Sequence, residues 1–173
     1  MIRIEGTRFG TVEVEDAAAI EFPAGLVGFP SETRFVLLER TGGKLVGYLQ
    51  SLTTASLAFP VMDASAFEGY PEPSAEELAT SVGFGSTDLA VLVIVSVNSV
   101  TKLLQANLLA PLLVDVVSRL GAQCVLDPRH FSAAHTLADP LTLAKARVAE
   151  AQARASAAAE EREAAEENVA VGA

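Results

Sequence analysis

The chain has 173 residues, 50% of them hydrophobic, one cysteine and a formal net charge of −10. That length and apolar content suffice for a domain with a sizeable core and exclude disorder for most of the chain. The negative charge excludes a phosphate-backbone site, which needs a basic face, so direct nucleic-acid binding is not expected.

In chain order, residues 2–5 and 11–14 alternate apolar with polar positions around Gly6, which predicts two short strands and a turn. Ile20, Glu21 and Phe22 follow, and then residues 23–30 hold two prolines and two glycines. That density predicts a fixed turn, with the glycines at positive φ and the hydrophobics between them against the core. A phosphate loop would need a Lys-Ser/Thr pair and a long helix after it, and neither is present. Residues 34–39 and 45–52, joined across Thr41-Gly42-Gly43-Lys44, predict a hairpin. A further strand is expected over 56–62, and Pro60, which has no N–H to donate, suggests an edge or a bulge. Residues 63–88 read as loop, within which Ser74 and Glu77 have capping-box spacing for a short helix.

Residues 89–127 are the centre of the pattern. Nine residues from Leu89, rich in Val, Leu and Ile, predict a strand buried on both faces. A half-buried strand is expected over 112–119, with Leu112, Val114 and Val116 facing inward and Asp115 and Arg119 outward. A short strand over 123–126, carrying Cys124 as a core residue, should follow the Gly121 turn. Short strands at such intervals predict a mainly β protein: a small antiparallel β-barrel-like domain with short helices. After Leu137 the composition turns to Ala, Glu and Arg. Asp139 as cap, Pro140 at the first helical position and a stripe of Leu141, Ala144, Val148, Ala151 and Ala155 predict a C-terminal α-helical extension. The expected domains are therefore 1–137 and 138–173.

No catalytic set is legible, and an enzyme is not expected. His130 and His135 share no helix face, their spacing does not suit a metal, and no nucleophile elbow or Cys-His motif occurs. No cofactor or metal is expected. A lone cysteine fits a reducing cytoplasm, the first residues lack the apolar core of a secretion signal, and no apolar run approaches the roughly 20 residues that span a bilayer. Charge placement is more informative. Between Lys44 and Lys102 there is no Lys or Arg, while Asp63, Glu68, Glu72, Glu76, Glu77 and Asp88 fall in that gap. These six form the candidate partner-binding surface, suited to a basic protein.

Several motifs occur in a specific order: Phe22-Pro23-Ala24-Gly25-Leu26-Val27-Gly28-Phe29, Leu49-Gln50-Ser51, Leu57-Ala58-Phe59-Pro60-Val61-Met62-Asp63, Ala90-Val91-Leu92-Val93-Ile94-Val95, Asn107-Leu108-Leu109-Ala110-Pro111-Leu112 and Gln123-Cys124-Val125-Leu126-Asp127. Together they resemble the flagellar assembly factor FliW family over residues 1–137. The resemblance implies a non-catalytic cytoplasmic protein that binds flagellin. When flagellin is exported, it would bind and antagonise the RNA-binding translational regulator CsrA, relieving repression of flagellin translation. Two features depart from the family pattern: Ala64 stands where a proline is common, and the extension from Pro140 has no counterpart in short members. Two other readings remain open from the residues alone, a small β-barrel enzyme or ligand carrier, and a scaffold dimerising through its C-terminal helix.

Overall fold

The computed structural model describes residues 1–38, 47–67, 70, 83 and 88–137. The acidic residues Glu68, Glu72, Glu76 and Glu77, the Ser74 cap and everything from residue 138 onward lie outside the described residues. Among the described residues there are eleven strands: β1 (Ile2–Thr7), β2 (Gly10–Val14), β3 (Ala19–Glu21), β4 (Arg34–Leu38), β5 (Gly47–Ser51), β6 (Ala58–Asp63), β7 (Leu89–Val97), β8 (Leu104–Ala106), β9 (Leu112–Asp115), β10 (Gly121–Gln123) and β11 (His135–Thr136). Among the described residues the helical elements are two single 3-10 turns, Asp16–Ala18 and Ala64–Ala66.

Two sheets result. The hairpin β1-β2 pairs Ile2 with Val14 and Ile4 with Val12, burying Ile4 and Val12. It is pinned to the main sheet by Phe9, whose ring meets Tyr48 of β5 edge-on at 4.8 Å. The main sheet runs β10-β9-β7-β6-β5-β4-β3, every pairing antiparallel. Strand β7 is its axis because it is shared three ways. One edge pairs with β6. The other pairs with β9 along Leu89–Leu92 and then with β8 along Val95–Val97. A run of nine residues that are apolar except for Ser96, and mostly β-branched, is what such a strand requires, since it meets neighbours on both edges and on its faces. Strand β11 extends β8 by two pairs, and the Leu137 N–H donates to the Leu104 carbonyl.

The sheet curls until its two edge strands meet. They do so through one isolated bridge, Glu21 with Leu120, in which the Glu21 N–H donates to the Arg119 carbonyl at 2.9 Å. The expected barrel is thus corrected to a curled sheet with a seam: one bridge is not a ladder, and the sheet does not close. Phe22 fills the seam from inside. Its ring is fully buried, edge-on to Phe35 at 5.5 Å, and lies where a Cβ on Gly121 would be. Around it Ile20, Leu26, Leu49, Val61, Leu92, Leu112 and Val114 form the core. Each such side chain contributes roughly 1.5–3 kcal/mol on burial.

The turn expected over residues 23–30 covers the seam region. Leu26 and Phe29 exchange backbone hydrogen bonds, and the Val27 N–H donates to the Gln123 side-chain oxygen at 2.7 Å. Gly25 has φ +67°, and a Cβ there would lie 2.6 Å from the Phe29 carbonyl oxygen, so only glycine fits. The motif Leu49-Gln50-Ser51 holds the next loop. The buried Gln50 amide donates to the carbonyls of Ala55 and Leu57, and the Ser51 hydroxyl donates to Glu32 while accepting the Thr53 and Thr54 N–H groups.

Other expectations are corrected. The strand foreseen over 112–119 stops at Asp115, and all four of its residues are buried. Asp115 points inward in burial terms because its carboxylate accepts the N–H groups of Val117 and Ser118, which turns the chain. Val116 is consequently exposed. The strand foreseen over 123–126 begins two residues earlier and ends at Gln123, leaving Cys124 half-buried beyond it. Strand β6 is interior, despite Pro60. The proline is accommodated because the β6-β7 pairing begins only at Val61, so residue 60 owes no N–H to β7. Strand β7 is buried in its middle, while Ser96 and Val97 are exposed.

Candidate partner-binding surface

Of the six carboxylates singled out in sequence, the structure describes two. Asp63 ends β6, is exposed, and caps the 3-10 turn after it by accepting the Ser65 N–H at 2.9 Å. Asp88 is exposed and directly precedes β7. Since Asp63 pairs with Leu92, and β7 begins at Leu89, both sit at the same end of the β6-β7 pair. They bracket the connection that carries the other four, which lie outside the described residues. The far anchor of this region is Tyr70, whose hydroxyl donates to the Leu108 carbonyl at 3.0 Å and whose ring packs edge-on against Phe131. Burial pushes the Tyr70 phenol up to about 12, with the nearby Cys124 thiol adding to the shift.

Sequence reasoning missed an apolar surface beside Asp88. The Val116 N–H donates to the Asp88 carbonyl at 3.1 Å, which ties the acidic end of β7 to the turn between β9 and β10. On that turn Val116, Val117 and Leu120 are exposed, Val117 at 77%. Glu21, bridged to Leu120, lies on its other side and pairs loosely with Arg34. Exposed apolar side chains bordered by charged ones are the anatomy of a protein-protein contact, with an apolar centre and a polar rim. The signal in sequence was Asp115 followed by Ser118, an Asx-type turn. Such a turn ends a strand and throws the two valines between them outward.

The residues that catalysis or metal binding would use are dispersed. His130 and His135 are exposed, and among the described residues no three His, Cys, Asp or Glu side chains are grouped to hold an ion. Asp127 is committed to its neighbour: the Arg129 guanidinium beside it holds its carboxyl below the usual range. No helix among the described residues is long and apolar enough to cross a membrane.

The curled sheet, its seam and its exposed turns define the fold of a flagellar assembly factor. A crystal structure of the flagellar assembly factor FliW superposes with a TM-score of 0.69 at 28% identity, covering 79% of this chain and 97% of that one. The chain belongs to the FliW family: the model of the FliW protein matches residues 3–137. Relatives named flagellar assembly factor FliW include that of Heliobacterium modesticaldum, 36% identical over 79% of this chain and 90% of its own. That of Natranaerobius thermophilus is 35% identical over 79% of this chain and 92% of its own.

Proposed function

We propose that this flagellar assembly factor is a cytoplasmic, non-catalytic binding switch with two protein partners. It binds newly made flagellin as a chaperone. When flagellin is exported, it binds CsrA instead and relieves repression of flagellin translation. We assign binding to residues 1–137, the part that the family match covers, and assign no binding role to residues 138–173. Membership of the FliW family supports the flagellar role, and charge supports the regulator as second partner. No Lys or Arg occurs between Lys44 and Lys102, and the six carboxylates of that interval include Asp63 and Asp88 at one end of the β6-β7 pair. A field of one sign steers a basic RNA-binding protein toward that end and raises its association rate. The single observation that carries this reading is that all six carboxylates of that interval fall on, or at the ends of, the one stretch of chain joining β6 to β7.

The experiment is affinity capture from motile cells with the tagged full chain. Flagellin and CsrA in the eluate support the proposal. Absence of both, with the chain folded, refutes it.

A further inference from the structure

We propose that the turn between β9 and β10 is a docking point for a protein segment whose apolar side chains flank a carboxylate, and that Arg119 receives that carboxylate. The inference deepens the partner-binding reading above and rests on it. Arg119 and Lys102 are the residues other than glycine with positive φ among those described, Arg119 at +59°. Left-handed backbone is unfavourable for a residue with a Cβ and persists where surrounding bonds impose it; such outliers gather at functional positions. Here both backbone groups of Arg119 are tied. Its N–H donates to the Asp115 carbonyl and its carbonyl accepts the Glu21 N–H, each at 2.9 Å. Glycine would satisfy the same bonds without strain, so the turn itself gives no reason for an arginine.

The side chain accounts for it. Arg119 is exposed and makes no ion pair among the described residues, in a chain with 22 acidic and 12 basic residues. The exposed Val116 and Val117 on the turn, and Leu120 beside it, supply apolar area. The turn is held rigid by the buried Asp115 carboxylate, which accepts the Val117 and Ser118 N–H groups. Such a rigid root lowers the ordering cost of binding, and the planar guanidinium offers a carboxylate two parallel hydrogen bonds. A basic segment would be repelled by Arg119, so this surface suits a partner that brings a carboxylate and leaves the acidic connection to the basic one. Of the two proposed partners, flagellin is the one assigned to it.

The test uses the full chain, immobilised, with purified flagellin as probe and melting temperature measured in parallel. Arg119→Gly should raise the melting temperature, since strain is relieved, while weakening flagellin binding at least tenfold. Val117→Ser, at a position too exposed to affect folding, should weaken it several-fold. Val100→Ser, equally exposed on the β7-β8 turn at 85%, should leave it unchanged. Wild-type binding that survives both Arg119→Gly and Val117→Ser overturns the docking point while the function stands. A wild-type chain that binds no flagellin overturns the function and this inference with it.

Discussion

Gly121→Ala tests the seam. An added Cβ at residue 121 would lie 2.4 Å from one ring carbon of Phe22 and 2.6 Å from two others, against an optimal separation of about 3.5–4.0 Å. Gly121 has no positive φ, so the backbone accepts alanine and the cost is the ring contact alone. The ring has nowhere to go: Phe22 and the Phe35 ring it meets edge-on are both fully buried. Overpacking of this kind costs about 1–3 kcal/mol, and loss of glycine's freedom in the unfolded chain returns at most about 1 kcal/mol. The net is a destabilisation of about 1–2 kcal/mol, or a fall in melting temperature of roughly 3–10 °C. Thermal unfolding followed by far-UV circular dichroism, with a urea midpoint beside it, measures this. Phe22→Leu in the same chain should recover part of the loss, giving a coupling of about 0.5 kcal/mol or more. A Gly121→Ala protein as stable as wild type would mean that Phe22 does not fill the seam.

Three further outcomes are expected. Val114→Ala, in the buried core, should cost about 2 kcal/mol through lost burial and a cavity, read from urea unfolding, with flagellin affinity of the folded protein unchanged. Tyr70 has its phenol raised to about 12, so the folded state keeps a proton that the unfolded state releases from about pH 10. The associated stability is complete below that value and is lost as pH rises toward 12. An alkaline unfolding titration should show this loss, and Tyr70→Phe should remove it. Replacing Glu72, Glu76 and Glu77 together by Gln should slow association with CsrA several-fold at low salt in stopped-flow. The difference should shrink in about 1 M salt, where the Debye length is about 3 Å.

The strands were legible where side-chain period and packing agree. Strand β7 occupies the same nine residues that the apolar run marks, because β9 and β8 between them pair with it at both ends while β6 pairs with its middle. The hairpin β1-β2 and the pair β4-β5 were legible from alternation around glycines. Alternation misled at Asp115, where a buried carboxylate serves the turn rather than the solvent face. The missing N–H of Pro60 misled separately, since a proline inside a sheet is tolerated where the ladder on one side stops short of it. The seam was not legible at all: it depends on Gly121 meeting Phe22, residues far apart in the chain whose contact no local pattern encodes. Of the candidate surface, the charge interval was visible in composition. The apolar turn beside Asp88 was not, because two adjacent valines look like strand until the Asx turn exposes them.

The most direct test of the two-partner switch is competition at equilibrium. Labelled CsrA is bound to the purified full chain, and flagellin is titrated in while anisotropy is read. The chain should bind CsrA, flagellin should lower the bound fraction, and added CsrA-target RNA should regain CsrA as the chain is loaded with flagellin. A chain that binds CsrA with an affinity indifferent to saturating flagellin would contradict it.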